Sequence, residues 1–304
     1  MERNAELSEF LRSRRGRLSP EDAGVRVSSD SPRRVPGLRR EELAHLAGVS
    51  TDYYTRLEQG RGLNVSETVL DAVARALRLS ETERAYLFQL ARPKTRRAVR
   101  YRPPRPQRVR PGVHNVLRTL DRVCPAFVFG RCADVLAVNR LGRALLTDFD
   151  ALPYRERNYA RYMFLDESAR ELFRDWELCA AETVGGLRLE AGRRPDDPRL
   201  TELVGELTIK SPEFRGWWAG HVVRERMHGV KRYHHPVVGD LTLAYESMPL
   251  PGDPDQTLCV QTPEPGSPSE EALQLLASWT SAREPARPSR TPHSTTPRKE
   301  STDS

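Results

Sequence analysis

The chain of 304 residues lacks any apolar run of the roughly eighteen residues that a membrane-spanning helix needs, so no segment is expected to cross a bilayer. Its start, MERNAELSEFLRSRRGR, is charged and lacks the apolar stretch of a signal peptide, which predicts a cytoplasmic protein. Cysteine is scarce. Cys124, Cys132, Cys179 and Cys259 are scattered without a CxxC pair, a pattern of reduced thiols rather than of a disulfide framework. Cys124 and Cys132 facing each other across a turn as a redox pair is the alternative. Catalytic signatures are missing too: there is no GxSxG, no P-loop and no GxGxxG after a strand, and the acidic residues are dispersed rather than paired, so no catalytic residue is assigned. His221, His228, His234 and His235 cluster, but their spacing matches neither the i, i+4 pair of a zinc-binding helix nor a Cys/His finger, so neither a metal nor a cofactor is expected.

What the chain does carry is arginine, unevenly placed. The net charge is +7, and the stretch Arg92–Pro111 alone holds nine Lys/Arg and no acid, while the residues before and after it are close to neutral. Five prolines in that stretch remove backbone donors, and its like charges repel, so it should be an extended basic linker. Where such an arm adjoins a unit that binds DNA, it also meets phosphates or a minor groove, and the stretch ahead of it has the pattern of such a unit.

That unit is centred on LRREELAHLAGVSTDYYTRLEQGRG, from Leu38 to Gly62. Leu43, Leu46 and Ala47 recur at helical spacing, Gly48 interrupts, and Ser50 caps a second helix running to about Gly60. Two helices joined by a short glycine-containing turn form a helix-turn-helix. Stepping about 100° per residue along the second helix puts Tyr53, Tyr54 and Leu57 on one side and Thr51, Asp52, Thr55, Arg56 and Gln59 on the other. The first face is core. The second carries side chains able to read base edges in a major groove. Thr51, Asp52, Thr55 and Arg56 are therefore assigned to bases, Arg56 to guanine, and Arg39, Arg40, Gln59 and Arg61 to phosphates. Arg33 and Arg34, in the long loop Leu18–Gly37, are further phosphate candidates.

Helical patterns from about Ala5 to Arg15, Ser66 to Leu77 and Ser80 to Ala91 complete an all-α unit of five helices over residues 1–91. After the linker at 92–111, residues 112–281 read as α+β. AFVFG and DVLAVN are early strands, a helical insertion follows, and KRYHHPVV, GDLTLAYESMPL and QTLCVQTPE are late strands before a last helix at Ser269–Trp279. Within the insertion, Gly185 and Gly186 are expected to end a helix. Residues 282–304 have the composition of a disordered tail. Two early and three late strands around helices amount to a PAS-like arrangement, one antiparallel sheet with helices on one face.

The segment GLRREELAHLAGVSTDYYTRLEQGR resembles the XRE (Cro-like) helix-turn-helix class, in the form found in bacterial regulators with an MmyB-like C-terminal domain. The LAVN run ending at Asn139, FRGWWAGHVV and HPVVGDLTLAYE carry the resemblance of the second unit to the MmyB-like ligand-binding domain. It implies a sensory pocket for a small hydrophobic ligand such as a fatty acid. Phe127, Phe129, Trp176, Trp218 and Tyr245 lie in the elements that would enclose it, with ordinary core packing as the alternative, and Asn139, Arg131 and Arg143 complete the candidate set, the arginines for a carboxylate.

The expectation is a multidomain, sequence-specific transcriptional regulator that binds double-stranded DNA as a homodimer on a palindrome. The alternatives are a DNA-binding adaptor that recruits a protein and senses no ligand, and an enzyme with an accessory DNA-binding domain. Arg56→Ala should cost roughly 1–3 kcal/mol on the operator and relax specificity at one position. Replacing linker arginines should weaken binding to all sequences and flatten the salt dependence by about 0.9 per lost phosphate contact. Equal losses on specific and random DNA for Arg56→Ala would remove that residue from the reading face.

Overall fold

The computed structural model describes residues 3–25, 37–61, 65–91, 107–221, 223 and 227–283. Arg33 and Arg34, most of the basic linker and most of the C-terminal tail lie outside the described residues. Helices α1 (Arg3–Arg17), α2 (Arg40–Leu46), α3 (Thr51–Glu58), α4 (Glu67–Ala76) and α5 (Glu81–Ala91) form the N-terminal unit. Serines start three of them. Ser50 Oγ accepts from Tyr53 N at 3.2 Å, Ser66 Oγ from Val69 N at 3.3 Å, and Ser80 and Glu83 exchange side-chain-to-backbone bonds in a reciprocal cap. Phe10, Leu11, Leu43, Tyr54, Leu57, Val73, Tyr86 and Leu87 fill the core, with Phe10 edge-on to Tyr86.

Beyond the linker, α6 (Pro111–Thr119) leads into β1 (Ala126–Phe129) and β2 (Val135–Val138). A helical insertion follows: α7 (Arg140–Leu145), α8 (Tyr159–Leu165), α9 (Glu167–Leu172), α10 (Trp176–Arg193), α11 (Pro198–Lys210) and α12 (Pro212–Ala219). Strands β3 (His228–His235), β4 (Gly239–Leu250) and β5 (Asp253–Pro263) and helix α13 (Pro268–Arg283) close the fold. The five strands make one antiparallel sheet in the order β2-β1-β5-β4-β3.

Alternation decides what each strand buries. Leu241, Leu243 and Tyr245 of β4 face the helical layer, whereas Asp240, Thr242, Ala244 and Glu246 are exposed. In β1 the two sides are both covered. Phe127 enters the main core, while Ala126 and Val128 meet Val113 and Leu117 of α6. Helices therefore lie on both faces at that end of the sheet, not on one face as the sequence suggests.

The glycine pair does not end a helix. α10 passes through Gly185 and Gly186 to Arg193, eighteen residues in all. Two glycines cost about 1 kcal/mol each against alanine in a helix interior, and packing on several sides outweighs that. Val184, Leu187 and Ala191 join Leu200, Leu203 and Leu207 of α11, and Leu189 sits in the core of the N-terminal unit together with Val223. A Cβ at Gly192 would come within 2.4 Å of the Tyr86 ring, so only glycine permits this approach of α10 to α5. The two units thus share a core, which the linker and the composition did not suggest.

A buried ionic joint fixes the contact. The Arg188 guanidinium, with 1% of its side chain exposed, pairs with Glu6 of α1, donates to the Trp218 carbonyl, lies 3.0 Å from His221 Nδ1 and stacks over the Trp218 ring. Tyr86 Oη donates to Glu6 Oε1 at 2.8 Å, and Arg14 Nη2 donates to the His221 carbonyl at 2.6 Å. Burial pushes the Glu6 carboxyl up, but His221, Arg188 and Tyr86 together outweigh it and hold the pKa at about 2, below its ordinary 4.5. A depressed carboxyl pKa contributes stability that is complete above the ordinary value and lost as pH falls through the folded one. Glu6→Gln should therefore lower the urea midpoint at neutral pH, and the gap from the native chain should close between about pH 4.5 and pH 2. A gap that does not change with pH would show that the Glu6 charge plays no part.

Candidate functional site

Two places in the fold gather the chemistry singled out by the sequence. The first is the outer face of α3. The turn before it needs Gly48, whose φ of +67° belongs to the left-handed region. Val49 N closes the turn on the Ala44 carbonyl at 3.0 Å, and the Ser50 cap starts the helix. Tyr54 and Leu57 are buried and Tyr53 is half-buried, as their face of the helix requires. Thr51, Asp52, Arg56, Gln59 and Arg61 are exposed and Thr55 is half-buried, so the polar set singled out by the sequence lies together on one accessible surface. Among the described residues the side chains of Thr51, Asp52, Arg56, Gln59 and Arg61 take no hydrogen bond or ion pair, leaving their donors and acceptors free for a partner.

The arginines ahead of α3 are differently placed. Arg40 Nε bonds Glu58 Oε1 at 2.8 Å, and Arg15 of α1 holds the same carboxylate at 2.7 and 3.1 Å. Arg39 caps α2, with its backbone N–H on Glu42 Oε2 at 2.6 Å and its side chain 3.6 Å from Glu41. Arg40, assigned to phosphate, thus serves first to neutralise Glu58, whose side chain is fully buried. Burial raises the Glu58 pKa, but the two arginines outweigh it and hold it below the usual carboxylate range. Arg15 also donates to the Leu38 carbonyl at 2.6 Å, so one guanidinium ties α1, α3 and the chain leading into α2. The sequence reading missed Glu58. On the same wheel it falls between Thr51 and Tyr54, at the boundary of the two faces, so the pattern did not mark it as a buried acid in need of a partner.

The second place is a cavity of about 670 Å³ between the sheet and α10, within the size range of small-molecule sites. α10 supplies one wall through Cys179, Thr183, Gly186 and Glu190, residues three or four apart, with Leu187 beside them. Phe129, Tyr159, Tyr245 and Cys259 furnish the opposite side. At one end stands Lys231, on the inward side of β3 beside buried Tyr233 and His235. Its Nζ lies 4.9 Å from the Tyr245 ring centre, 5.2 Å from that of Tyr159 and 5.8 Å from that of Phe173, and donates to Tyr159 Oη at 3.2 Å. Among the described residues Lys231 has no carboxylate partner. Burial draws its pKa down and the surrounding tyrosines and cysteines draw it up, with a net rise.

Of the eight pocket residues expected from the sequence, Phe129, Arg131 and Tyr245 line this cavity. Phe127 is in the solid core, stacked on Phe129. Trp176 donates its indole N–H to the Met163 carbonyl at 3.0 Å and packs against Phe164 and Trp217. Trp218 walls a separate hollow of about 220 Å³ at the contact of the two units, with Glu6 and Leu90. Asn139 caps α7, accepting from Ala126 N and Gly142 N and donating to the Cys124 carbonyl, so its side chain is consumed by structure. Arg143 pairs with Asp150 away from the cavity. Arg131 lies 3.8 Å from Asp255 at the rim, where Arg194 also pairs with Asp255, so neither arginine is the free cation. Lys231 takes that place. The period-two pattern of KRYHH, which aligns it with the inward Tyr233, is the signal that could have found it.

The remaining candidates resolve simply. All four cysteines are free and buried; Cys124 and Cys259 have thiols raised by burial, and that of Cys132 is pushed up to about 12. His235 bonds the Ala144 carbonyl at 2.9 Å and His234 bonds Asp240 at 2.7 Å. Donor atoms of Glu6, Glu9 and His221 lie within 4.8 Å of one another, but the Arg188 guanidinium already supplies the positive charge there, and the two carboxylates face opposite ring nitrogens of His221. No helix among the described residues is long and apolar enough to cross a membrane.

Residues 109–276 match the MmyB-like transcription regulator ligand binding domain, and residues 6–87 match a helix-turn-helix domain. No curated protein matches the chain. The pairing of a DNA-binding unit with a ligand-binding one agrees with a free polar face on α3 and an open cavity behind α10. Removing one partner of a buried ion pair costs about 3–5 kcal/mol, so Glu58→Gln should destabilise the N-terminal unit by roughly the lower figure, because Arg40 remains partly exposed to water. Urea unfolding at neutral pH measures it, and a midpoint equal to the native one would overturn the assignment.

Proposed function

Because the chain belongs to the MmyB-like transcription regulator family, we propose that it is a ligand-controlled regulator that reads operator DNA with α3 and holds an apolar molecule bearing one carboxylate in the cavity behind α10. Thr51, Asp52, Thr55 and Arg56 meet base edges, and Arg39, Gln59 and Arg61, with the exposed part of Arg40, meet phosphates. Asp52 accepts from a cytosine amino group or rejects sequences that offer only acceptors. One helix-turn-helix reads a half-site, so the operator is palindromic and the regulator a homodimer.

The observation that carries the ligand reading is Lys231. An ammonium held among three aromatic rings, which among the described residues pairs with none of the acidic side chains Glu182, Glu190 and Asp255 lining the same cavity, is a half-made ion pair. A carboxylate entering the cavity completes it, while Phe129, Leu146, Leu187 and Met227 offer apolar surface to the tail. The same arrangement disfavours a solid core, which a purely recruiting domain would have, and burial raises the thiols of Cys132 and Cys259 in the lining, which works against their use as nucleophiles.

Dodecanoate titrated into the purified chain by calorimetry tests this reading, with 1-dodecanol as the uncharged comparison. A hydrogen bond to a charged group contributes about 1.5–3 kcal/mol, so Lys231→Met should weaken dodecanoate roughly ten- to hundredfold and leave dodecanol unchanged. Equal dodecanoate affinity in native and variant chains would remove Lys231 from the site. No binding of either compound to the native chain would overturn the ligand class.

A further inference from the structure

Helix α10 has two working faces. Cys179, Thr183, Gly186 and Glu190 line the cavity, while Arg188, Leu189 and Gly192 press into the N-terminal unit. Nothing on the second face has room to yield. Leu189 is part of the five-helix core, Gly192 lies against Tyr86 with no space for a methyl group, and Arg188 is gripped by Glu6, His221 and the Trp218 carbonyl. Close-packed interiors transmit a displacement rather than absorb it. From Glu6 the connection continues along α1 to Arg15, whose guanidinium holds Glu58 at the end of α3.

We infer that α10 is the lever of the regulator: occupancy of the cavity moves α10 against the sheet, and Arg188, through Glu6 and α1, carries that movement to the reading helix. This rests on the proposed ligand cavity and adds how the cavity is heard by DNA. Arg188 and Glu6 act as positioning residues and touch neither ligand nor base. The cavity side of α10 is where the lever is pushed. A Cβ at Gly186 would meet no atom within 4 Å, so that position can accept a side chain that occupies the space a ligand takes.

The test uses the full chain and a DNA site selected by the chain itself from random duplexes. Gly186→Phe fills the cavity without any ligand, Gly186→Leu is a smaller filler, and Gly186→Ala supplies the helix-propensity gain alone. Operator affinity and amide hydrogen exchange in α1 and α5 are the readouts, each repeated in Glu6→Gln and Leu189→Ala backgrounds. Allosteric coupling usually amounts to about 5- to 150-fold in affinity. The expected result is a change of at least about fivefold on the operator for the fillers relative to Gly186→Ala, with altered exchange in α1 and α5, shrinking to about twofold or less once the joint is broken.

Fillers that alter exchange around the cavity yet leave α1, α5 and operator affinity unchanged overturn the lever. So does a filler effect that is equally large in both joint variants. Dodecanoate added to the native chain separates the two ideas. If dodecanoate does not bind but the fillers still shift operator affinity, the carboxylate reading fails and the lever stands; if it binds and changes neither exchange in α1 and α5 nor operator affinity, the lever fails and the ligand reading stands.

Discussion

One helix has to satisfy two cores at once, and most of the architecture follows from that constraint. α10 could not approach α5 without the bare backbone of Gly192, could not bury Arg188 without the Glu6 carboxylate, and borders the cavity on its other side with the open position of Gly186. Each requirement alone weakens a helix. Two interior glycines and a buried cation are tolerated because neighbours on α1, α5, α8, α11 and α12 hold the backbone in place. The helix is stable through its surroundings, not through its own propensities.

Buried charge recurs at the points where elements must meet in one way only. Glu58 gathers Arg15 and Arg40, and Glu6 gathers Arg188, Tyr86 and His221. Ion pairs of this kind add little net stability over an apolar core, since desolvation consumes most of the attraction. What they add is intolerance of misplacement. A guanidinium that slips by one helical turn leaves a carboxylate dry and unpaired, so the docking of α1 on α3 and of α10 on α1 has a single acceptable register. In a protein whose task is to present a helix to a groove, that exactness of placement matters more than a larger free energy of folding.

The local part of this structure was legible from the residues. Periodicity and capping serines located all five N-terminal helices and the free face of α3, and strand-like runs, with alternation in GDLTLAYESMPL, located the five strands. The long-range part was not. Glu6 and Arg188 are separated by 182 positions, and no local pattern announces that they meet. The pocket residues show the same boundary. Aromatic side chains in the right elements were correct material, yet Phe129 and Phe127 lie two positions apart and only one of them reaches the cavity, because β1 ends there and the chain turns through left-handed Cys132 and Ala133. Asn139 looked like a site residue since it closes a strand, but a strand end followed by a helix needs a cap, and that need claimed its side chain. Lys231 is one lysine in a chain rich in arginine, and only its inward register in β3, two positions from buried Tyr233, sets it apart.

The Glu58 pairing has a consequence for how such a regulator can change its target over generations. The exposed residues proposed to choose the DNA site, Thr51, Asp52 and Arg56, make no side-chain hydrogen bond or ion pair among the described residues, so they can be exchanged one at a time without disturbing the fold. Glu58, two positions past Arg56 on the same helix, is bound to α1 and α2. A recognition helix transplanted whole from another regulator would bring a foreign residue to that position and lose its anchors, while a graft limited to the outward side chains would not. New specificities in this architecture therefore arise by repainting one surface of α3, with the helix itself inherited as a fixture.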